Sequence, residues 1–194
     1  MILTGNEDLR VQRTIESIKK AFEELICEMD YEKIKVTELC SRAKINKKTF
    51  YIYYPSLDDL LAEIQLEYAN AYIERIRHFK LPDEIDKVNR EFFIFSVSQG
   101  LAYEKITCAG SYHYIRQKMM NHVIDSTWSQ SSKYKALDTL HRNILHTFLN
   151  SLSVGIYIQW AADGKKMPME DVIALPNQLL HEGIDGFFNS EVFS

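Results

Sequence analysis

Residues 45–54 read INKKTFYIYY. Between Arg42 and Tyr54 the chain has four cations and no acid, although its formal net charge is -4. Ile45, Phe50 and Tyr54 recur at helical spacing and predict a buried face, so the remaining side chains point outward. Pro55 ends this helix because its ring is incompatible with a helix interior.

The flanking sequence places this short helix third in a group of three. Residues 10–29 have an amphipathic pattern, and a short helix is predicted from Val36 to Ala43. Residues 44–46 interrupt the pattern, and the next helix runs from Lys47 to Tyr53. Three helices around one small core, with a tight turn between the second and third, describe a helix-turn-helix unit that reads the major groove of DNA.

The outward side chains of this unit suit DNA contacts. Lys47 and Thr49 can address base edges, Asn46 a base or a phosphate, and tyrosine hydroxyls phosphate oxygens. Lys48 adds an electrostatic contact. The alternative is an ordinary solvated helix face. The full set of candidate DNA-binding residues is Arg13, Thr37, Asn46, Lys47, Lys48, Thr49, Tyr51 and Tyr53. Arg42 could contact phosphate or pair with Glu38.

The remainder of the chain predicts only helices, so the fold class is all-α. Ser56 suits the N-cap of a helix from Leu57 to about His78, with Asp58 and Asp59 in its first turn. Residues 81–83 form the next break. We therefore expect a DNA-binding domain at 8–68, with the helix-turn-helix at about 36–54, and a second helical domain at 80–194. Further helices are predicted near 83–99, 101–108, 111–127, 134–163 and 169–189.

Several classes of function are disfavoured by what the sequence contains. The three cysteines form no CxxC pair, the first residues have no apolar signal region, and no apolar run suggests a membrane span, so a cytoplasmic location is expected. The six histidines have no metal-ligand spacing. With no phosphate-binding loop or nucleophile motif either, we expect neither an enzyme nor a cofactor or metal.

The run VTELCSRAKINKKTFYIYYPSLDDLL, residues 36–61, resembles the DNA-binding domain of TetR-type transcriptional regulators. TFY followed by x-Y-Y and P-S-x-D-D-L-L is similar to the family pattern, and RTIESIKKAFEELI is similar to its first helix. The resemblance implies a homodimer that binds a palindromic operator, usually as a repressor. It also implies a small-molecule effector in the second domain, whose binding releases the operator, and dimerisation through the last two helices.

The same resemblance suggests residues for the two further sites. Aromatic side chains could line the effector pocket, although ordinary core packing is the alternative for each of them: Phe92, Tyr103, Tyr112, Trp128 and Phe148. The closing helices are similar to the family's dimer interface, with these candidates: Gly155, Ile156, Trp160, Leu179 and Leu180. Trp160 is the expected anchor of that interface.

Four departures from the family pattern affect the DNA-binding unit. Lys44 stands where the turn usually has Gly, and a left-handed backbone there would cost about 1 kcal/mol or a little more. Lys48 replaces another Gly and adds a cation, whereas Leu57 replaces a Lys and removes a phosphate contact. Lys35 replaces a capping Thr, so the cap of the second helix would weaken or shift to Thr37. These losses motivate a rival hypothesis, a dimeric co-regulator that acts through protein contacts with weakened DNA binding.

Overall fold

A computed structural model describes residues 8–109 and 113–189, apart from the side chains of His113 and Gln178. Within these residues the chain forms eleven α-helices and no strand. The N-terminal group has the predicted order, and the bounds of the third helix are as predicted. These helices are α1 (Leu9–Glu28), α2 (Val36–Arg42), α3 (Lys47–Tyr53) and α4 (Leu57–Ile76).

The C-terminal part contains seven helices, most of them close to their expected bounds. They are α5 (Ile85–Ser98), α6 (Leu101–Cys108), α7 (His113–Trp128), α8 (Ser132–Ala136), α9 (Thr139–Leu149), α10 (Gly155–Ala162) and α11 (Met169–Asn189). The single helix predicted at 134–163 is wrong at its start. Asp138 interrupts it and caps α9 by accepting the N–H of His141 at 2.9 Å. A π-helical turn, Asn150–Val154, then joins α9 to α10.

One hydrophobic core holds the first three helices together. Phe22 of α1, Leu39 of α2 and Phe50 of α3 are all fully buried in it. Ile106 of α6 and Ile115 of α7 belong to the same core. The helix-turn-helix unit is therefore packed directly against the C-terminal part. Because the core is close-packed, a movement of α6 or α7 would displace α1.

The fourth helix contributes to two cores. Leu60, Leu61 and Ile64 in its first half pack with α1–α3, whereas Tyr72 and Ile76 in its second half pack with α5, α7 and α10. A third core, which includes Trp128 and Tyr134, lies between α7, α8, α9 and α11. Since α4 belongs to both the first and the second core, it connects the two parts directly.

The last helices form an antiparallel hairpin in which α11 returns along α10 and α9. The two arms approach closely at Gly183, because a Cβ there would lie 2.7 Å from Cζ of Phe148. The stripes Leu140–Ile144–Phe148 and Leu175–Leu179–Gly183 therefore meet at this point, since residues four apart share a helix face.

In the described ranges, no helix is both long enough and apolar enough to cross a membrane. The same residues contain no group of three or more His, Cys, Asp or Glu side chains that could hold a metal ion. Cys27, Cys40 and Cys108 are free thiols. Burial raises the pKa of Cys108 to about 11, so this thiol stays protonated near neutral pH.

Candidate nucleic-acid interface

The turn between α2 and α3 has the hydrogen bonds of a Schellman motif. The N–H of Ile45 donates to the carbonyl of Cys40 at 3.0 Å, and the N–H of Lys44 donates to that of Ser41 at 3.2 Å. Lys44 is the left-handed residue of this motif, with φ of 54°. The family's Gly is thus replaced at a position that does need positive φ, and Lys44 bears the steric cost.

The first turn of α3 is capped by Asn46. Its Oδ1 accepts the backbone N–H of Thr49 at 2.8 Å and the Thr49 hydroxyl at 3.1 Å. Oδ1 is therefore occupied, so a DNA contact by Asn46 would use its amide nitrogen as a donor. The hydroxyl hydrogen of Thr49 is likewise used, which leaves its oxygen to accept a bond from a base edge.

The outer face of α3 is open to solvent. Lys47 and Lys48 are exposed, and Tyr51 is 52% exposed, while Tyr53 is half-buried against the first core. In residues 8–109 and 113–189, neither lysine lies within ion-pair distance of a carboxylate. Ile52, two residues after the buried Phe50, is 68% exposed, and sequence reasoning missed it as a candidate because an apolar side chain is not expected to stand in solvent.

Two outlying candidates, Arg13 and Thr37, lie on α1 and α2. Arg13 is exposed and borders an open groove with Arg10, Ala43 and Ile45, so it lies beside the α2–α3 turn. Thr37 is exposed in the first turn of α2. The cap of α2 has not shifted to Thr37. Lys35 occupies the N-cap without a side-chain hydrogen bond, which makes this end of α2 weakly capped.

Arg42 does not pair with Glu38, the partner on its own helix that was considered for it. Its Nη1 and Nη2 donate to the two carboxylate oxygens of Glu28 on α1, at 2.6 and 2.8 Å. The hydrogen bond from Arg42 lowers the pKa of Glu28. The partner is thus on another helix, ten residues upstream of Glu38, which a pattern of i,i+4 pairs cannot reveal.

The first turn of α4 is acidic and tied to its neighbours. Ser56 caps it by accepting the N–H of Asp59 at 3.2 Å, as predicted. Leu57, which stands where the family has a Lys, packs against the first core. Asp58 accepts the hydroxyl of Tyr31 at 2.5 Å and that of Tyr114, on α7, at 3.2 Å.

Only some of the residues expected to line an effector pocket border a cavity. Phe92 and Tyr103 line a cavity of about 60 Å³ between α4, α5, α6 and α7, and Trp128 lines an adjoining one with Phe92. The prediction that Phe148 lines the effector pocket is wrong. Phe148 faces Gly183 in the third core and lines neither of these cavities, because the close approach of α11 covers it. Tyr112 lies outside the described residues.

The residues expected at a dimer interface also divide. The predictions that Trp160 and Leu180 lie at a dimer interface are wrong, because their side chains are only 8% and 1% exposed and are buried in the chain's own core. Nε1 of Trp160 donates to the carbonyl of Met167. Ile156 is half-buried against the second core, whereas Gly155 and Leu179 are exposed. Sequence reasoning missed three other exposed apolar side chains of α9 and α11: Leu140, Ile144 and Leu175.

The architecture matches solved structures of bacterial regulators. The fatty acid degradation regulator FadR of Bacillus halodurans aligns with a TM-score of 0.62 at 16% identity, over 85% of this chain and 96% of that one. FadR of Bacillus subtilis in complex with stearoyl-CoA also gives 0.62, at 18% identity over 90% and 97%. A TetR-family regulator from Streptomyces coelicolor gives 0.57, at 16% identity over 87% and 79%. The chain has the TetR fold.

The relation of this TetR-fold chain to other sequences is distant. No model of a known protein family matches it. It is 22% identical over 175 residues to YxbF, an uncharacterized HTH-type transcriptional regulator of Bacillus subtilis (strain 168). The match covers 84% of this chain and 43% of YxbF, so the chain spans less than half the length of that relative. The proteins it is similar to are described as transcriptional regulators rather than enzymes.

Proposed function

We propose that this chain is a sequence-specific DNA-binding transcriptional regulator, a homodimer that acts as a repressor and is released from its operator by a small molecule. The observation that carries the proposal is the outer face of α3. Two exposed lysines, a capped first turn and an exposed tyrosine stand on a short helix whose other face is buried. A recognition helix needs this combination, because it must be held rigidly while its outer groups enter the major groove.

The chemistry of that face suits both parts of a DNA interface. Lys47, Lys48 and Arg13 supply charge to neutralise phosphates, and Thr49 offers an acceptor for a base donor. Ile52 offers an apolar group of the kind that packs on the methyl of thymine. The acidic first turn of α4 argues for a footprint centred on α3, because Asp58 and Asp59 would repel phosphates.

A homodimer is supported by the exposed apolar side chains of the last hairpin. Leu140 and Ile144 are 72% and 60% exposed, and Leu175 and Leu179 are 65% and 57% exposed. They follow stripes that meet at Phe148 and Gly183, so they extend along one face of the hairpin. An apolar patch on two packed helices is typical of a protein interface, and a twofold axis would pair it with itself.

A small-molecule effector is supported by the cavity lined by Phe92 and Tyr103 and by its position. FadR, which has the same fold, was solved with stearoyl-CoA. The cavity adjoins α6 and α7, and both helices hold the DNA-binding unit. Lys105 Nζ donates to the carbonyl of Cys27 at 3.1 Å, and Tyr114 donates to Asp58. A ligand that displaces α6 or α7 would therefore move α1 and α4, with a coupling of about 1–3 kcal/mol.

The experiment is a selection of genomic DNA fragments bound by the purified protein, followed by affinity measurements at several salt concentrations. We expect a palindromic site whose affinity falls steeply with salt, since several phosphates are neutralised. Thr49→Ala should weaken binding to that site by about 1–3 kcal/mol and relax its sequence preference. A selection that enriches no site would favour the rival hypothesis, the co-regulator that acts through protein contacts.

A further inference from the structure

Three adjoining cavities run through the C-terminal part. They measure about 60, 230 and 50 Å³. The first shares Arg116, Met120 and Val154 with the second, and it shares Tyr72, Phe92, Met120 and Val123 with the third. Met120 lines all three. Because a methionine side chain is flexible and unbranched, a change of its rotamer would alter the walls of all three cavities, which suits a site for a flexible chain.

Arg116 of α7 stands at the junction of the first and second cavities. It is half-buried, and its Nη1 donates to the carbonyls of Thr107 and Ala109 at 2.5 and 3.1 Å. Among the described residues, no carboxylate lies within ion-pair distance of it. Burial lowers the pKa of Arg116, which reflects the cost of a partly desolvated charge without a counter-ion.

These two hydrogen bonds of Arg116 cap the C-terminal end of α6. Among the described residues only Nη1 is used in this way, so Nε and Nη2 keep the geometry of a fork for a carboxylate. The surroundings add a second unpaired group. Gln65 is 7% exposed, lines the first cavity, and its side-chain oxygen has no hydrogen-bond partner in the described part of the chain. The rest of the first cavity's wall is largely aromatic and aliphatic.

We propose that these cavities bind an apolar chain that ends in a carboxylate, with the carboxylate on Arg116 and the chain between Tyr72 and Phe92. The proposal rests on the effector site proposed above and names the class of its ligand. The second cavity is the more polar one, with Thr147, Asn150 and Ser151 in its wall, and so suits the charged end. A carboxylate held by Nε and Nη2 would leave the bonds from Nη1 to the carbonyls of Thr107 and Ala109 in place, so one guanidinium would connect the ligand, α6 and α7.

The test is a binding titration, by calorimetry and by thermal unfolding, with three probes of equal chain length. Decanoate carries the carboxylate, decan-1-ol lacks the charge, and decanoyl-CoA replaces the carboxylate by a thioester. We expect decanoate to bind and to raise the melting temperature, and decan-1-ol and decanoyl-CoA to bind at least about tenfold more weakly, since a charged hydrogen bond is worth about that factor.

The variant Arg116→Gln should weaken decanoate binding about tenfold or more and leave decan-1-ol unchanged. Arg116→Lys keeps the charge but loses the fork, and should bind with intermediate affinity. Arg77→Gln removes an exposed guanidinium that pairs with Glu74 at the end of α4, and serves as the matched control with wild-type binding. If Arg116→Gln does not fold, the comparison of decanoate with decan-1-ol on the wild-type protein decides alone.

Three results would overturn the proposal: no binding of decanoate, equal binding of decanoate and decan-1-ol, or preference for decanoyl-CoA. Unchanged decanoate affinity in Arg116→Gln would also do so. These titrations contain no DNA, so their failure leaves the proposed DNA-binding function standing. Conversely, a genomic selection that enriches no fragment would not alter the measured preference for a carboxylate.

Discussion

The guanidinium of Arg42 donates two hydrogen bonds to the carboxylate of Glu28, at 2.6 and 2.8 Å, and so connects the end of α2 to the end of α1. Arg42 is the first cation of the basic stretch, yet its charge is already matched. The charges left for phosphates are those of Lys44, Lys47 and Lys48, together with Arg13 beside the turn. This distinction between matched and unmatched cations leads to the first prediction.

Lys47→Ala should reduce the slope of log affinity against log salt concentration by about 1, because one fewer counterion is released from the DNA. Arg42→Gln removes a charge from the same stretch and should leave that slope unchanged. Both variants are compared on the selected operator by fluorescence anisotropy over a salt series. An equal loss of slope in Arg42→Gln would mean that Arg42 leaves Glu28 to meet a phosphate.

Lys44→Gly should stabilise the protein. Lys44 has φ of 54°, a conformation that costs a residue with a side chain about 1–2 kcal/mol and costs Gly little, although Gly gains entropy in the unfolded chain. The net expected gain in the free energy of unfolding is therefore about 0.5–1 kcal/mol, measured by urea denaturation. The matched control is Lys20→Gly in the exposed middle of α1, which should lose about 1 kcal/mol. A loss in both variants would contradict the left-handed assignment.

The stability of the third core should depend on the protonation of His146. Its Nε2 lies 2.8 Å from the hydroxyl of Tyr134, which donates to Asp125 at 2.5 Å, and Arg142 lies over the Tyr134 ring. Burial lowers the pKa of His146 below its ordinary value of 6.5, with Arg142 lowering it further and Asp125 opposing. The unfolded chain therefore binds this proton more readily than the folded protein does.

It follows that the free energy of unfolding falls as pH drops through 6.5 toward the lower pKa of the folded state. In His146→Gln this part of the pH dependence should disappear, while His122→Gln, which changes an exposed histidine, should keep it. Urea denaturation between neutral and acidic pH measures the difference from the wild type. An identical pH profile for His146→Gln and the wild type would show that the folded pKa is unshifted.

The exposed stripe of the last hairpin should be required for the dimer. Leu179→Glu places a charge among apolar side chains that a partner would bury, so the dimer should dissociate at about tenfold or higher concentration. Leu101→Glu changes a similarly exposed leucine, 55% exposed on α6, and should leave the dimer intact. Sedimentation equilibrium of the two variants and the wild type gives the dissociation constants. A dimer that tolerates Leu179→Glu but not Leu101→Glu would place the interface elsewhere.

The all-α fold and the helix-turn-helix could be predicted from local patterns in the sequence. Ile45, Phe50 and Tyr54 mark a helix face by their spacing alone, and Pro55 and Ser56 mark its end and the next beginning, because these signals act over a few residues. The outward position of Lys47, Lys48 and Tyr51 follows from the same local periodicity. Residue type alone was misleading at Ile52, because its side chain is apolar and yet exposed.

Contacts between side chains of different helices became known only from the packing of the folded chain. Trp160 and Leu180 were predicted at a dimer interface but are buried in the chain's own core. Leu140 and Leu175, which were not predicted there, are exposed to solvent. Arg42 pairs with Glu28, and Arg116 stands between two cavities with no acid at ion-pair distance in the described ranges. Spacing in the sequence could indicate neither arrangement. Periodicity reports that a helix has an apolar face, but the packing of helices distant in sequence decides whether that face meets the same chain, a partner or a ligand.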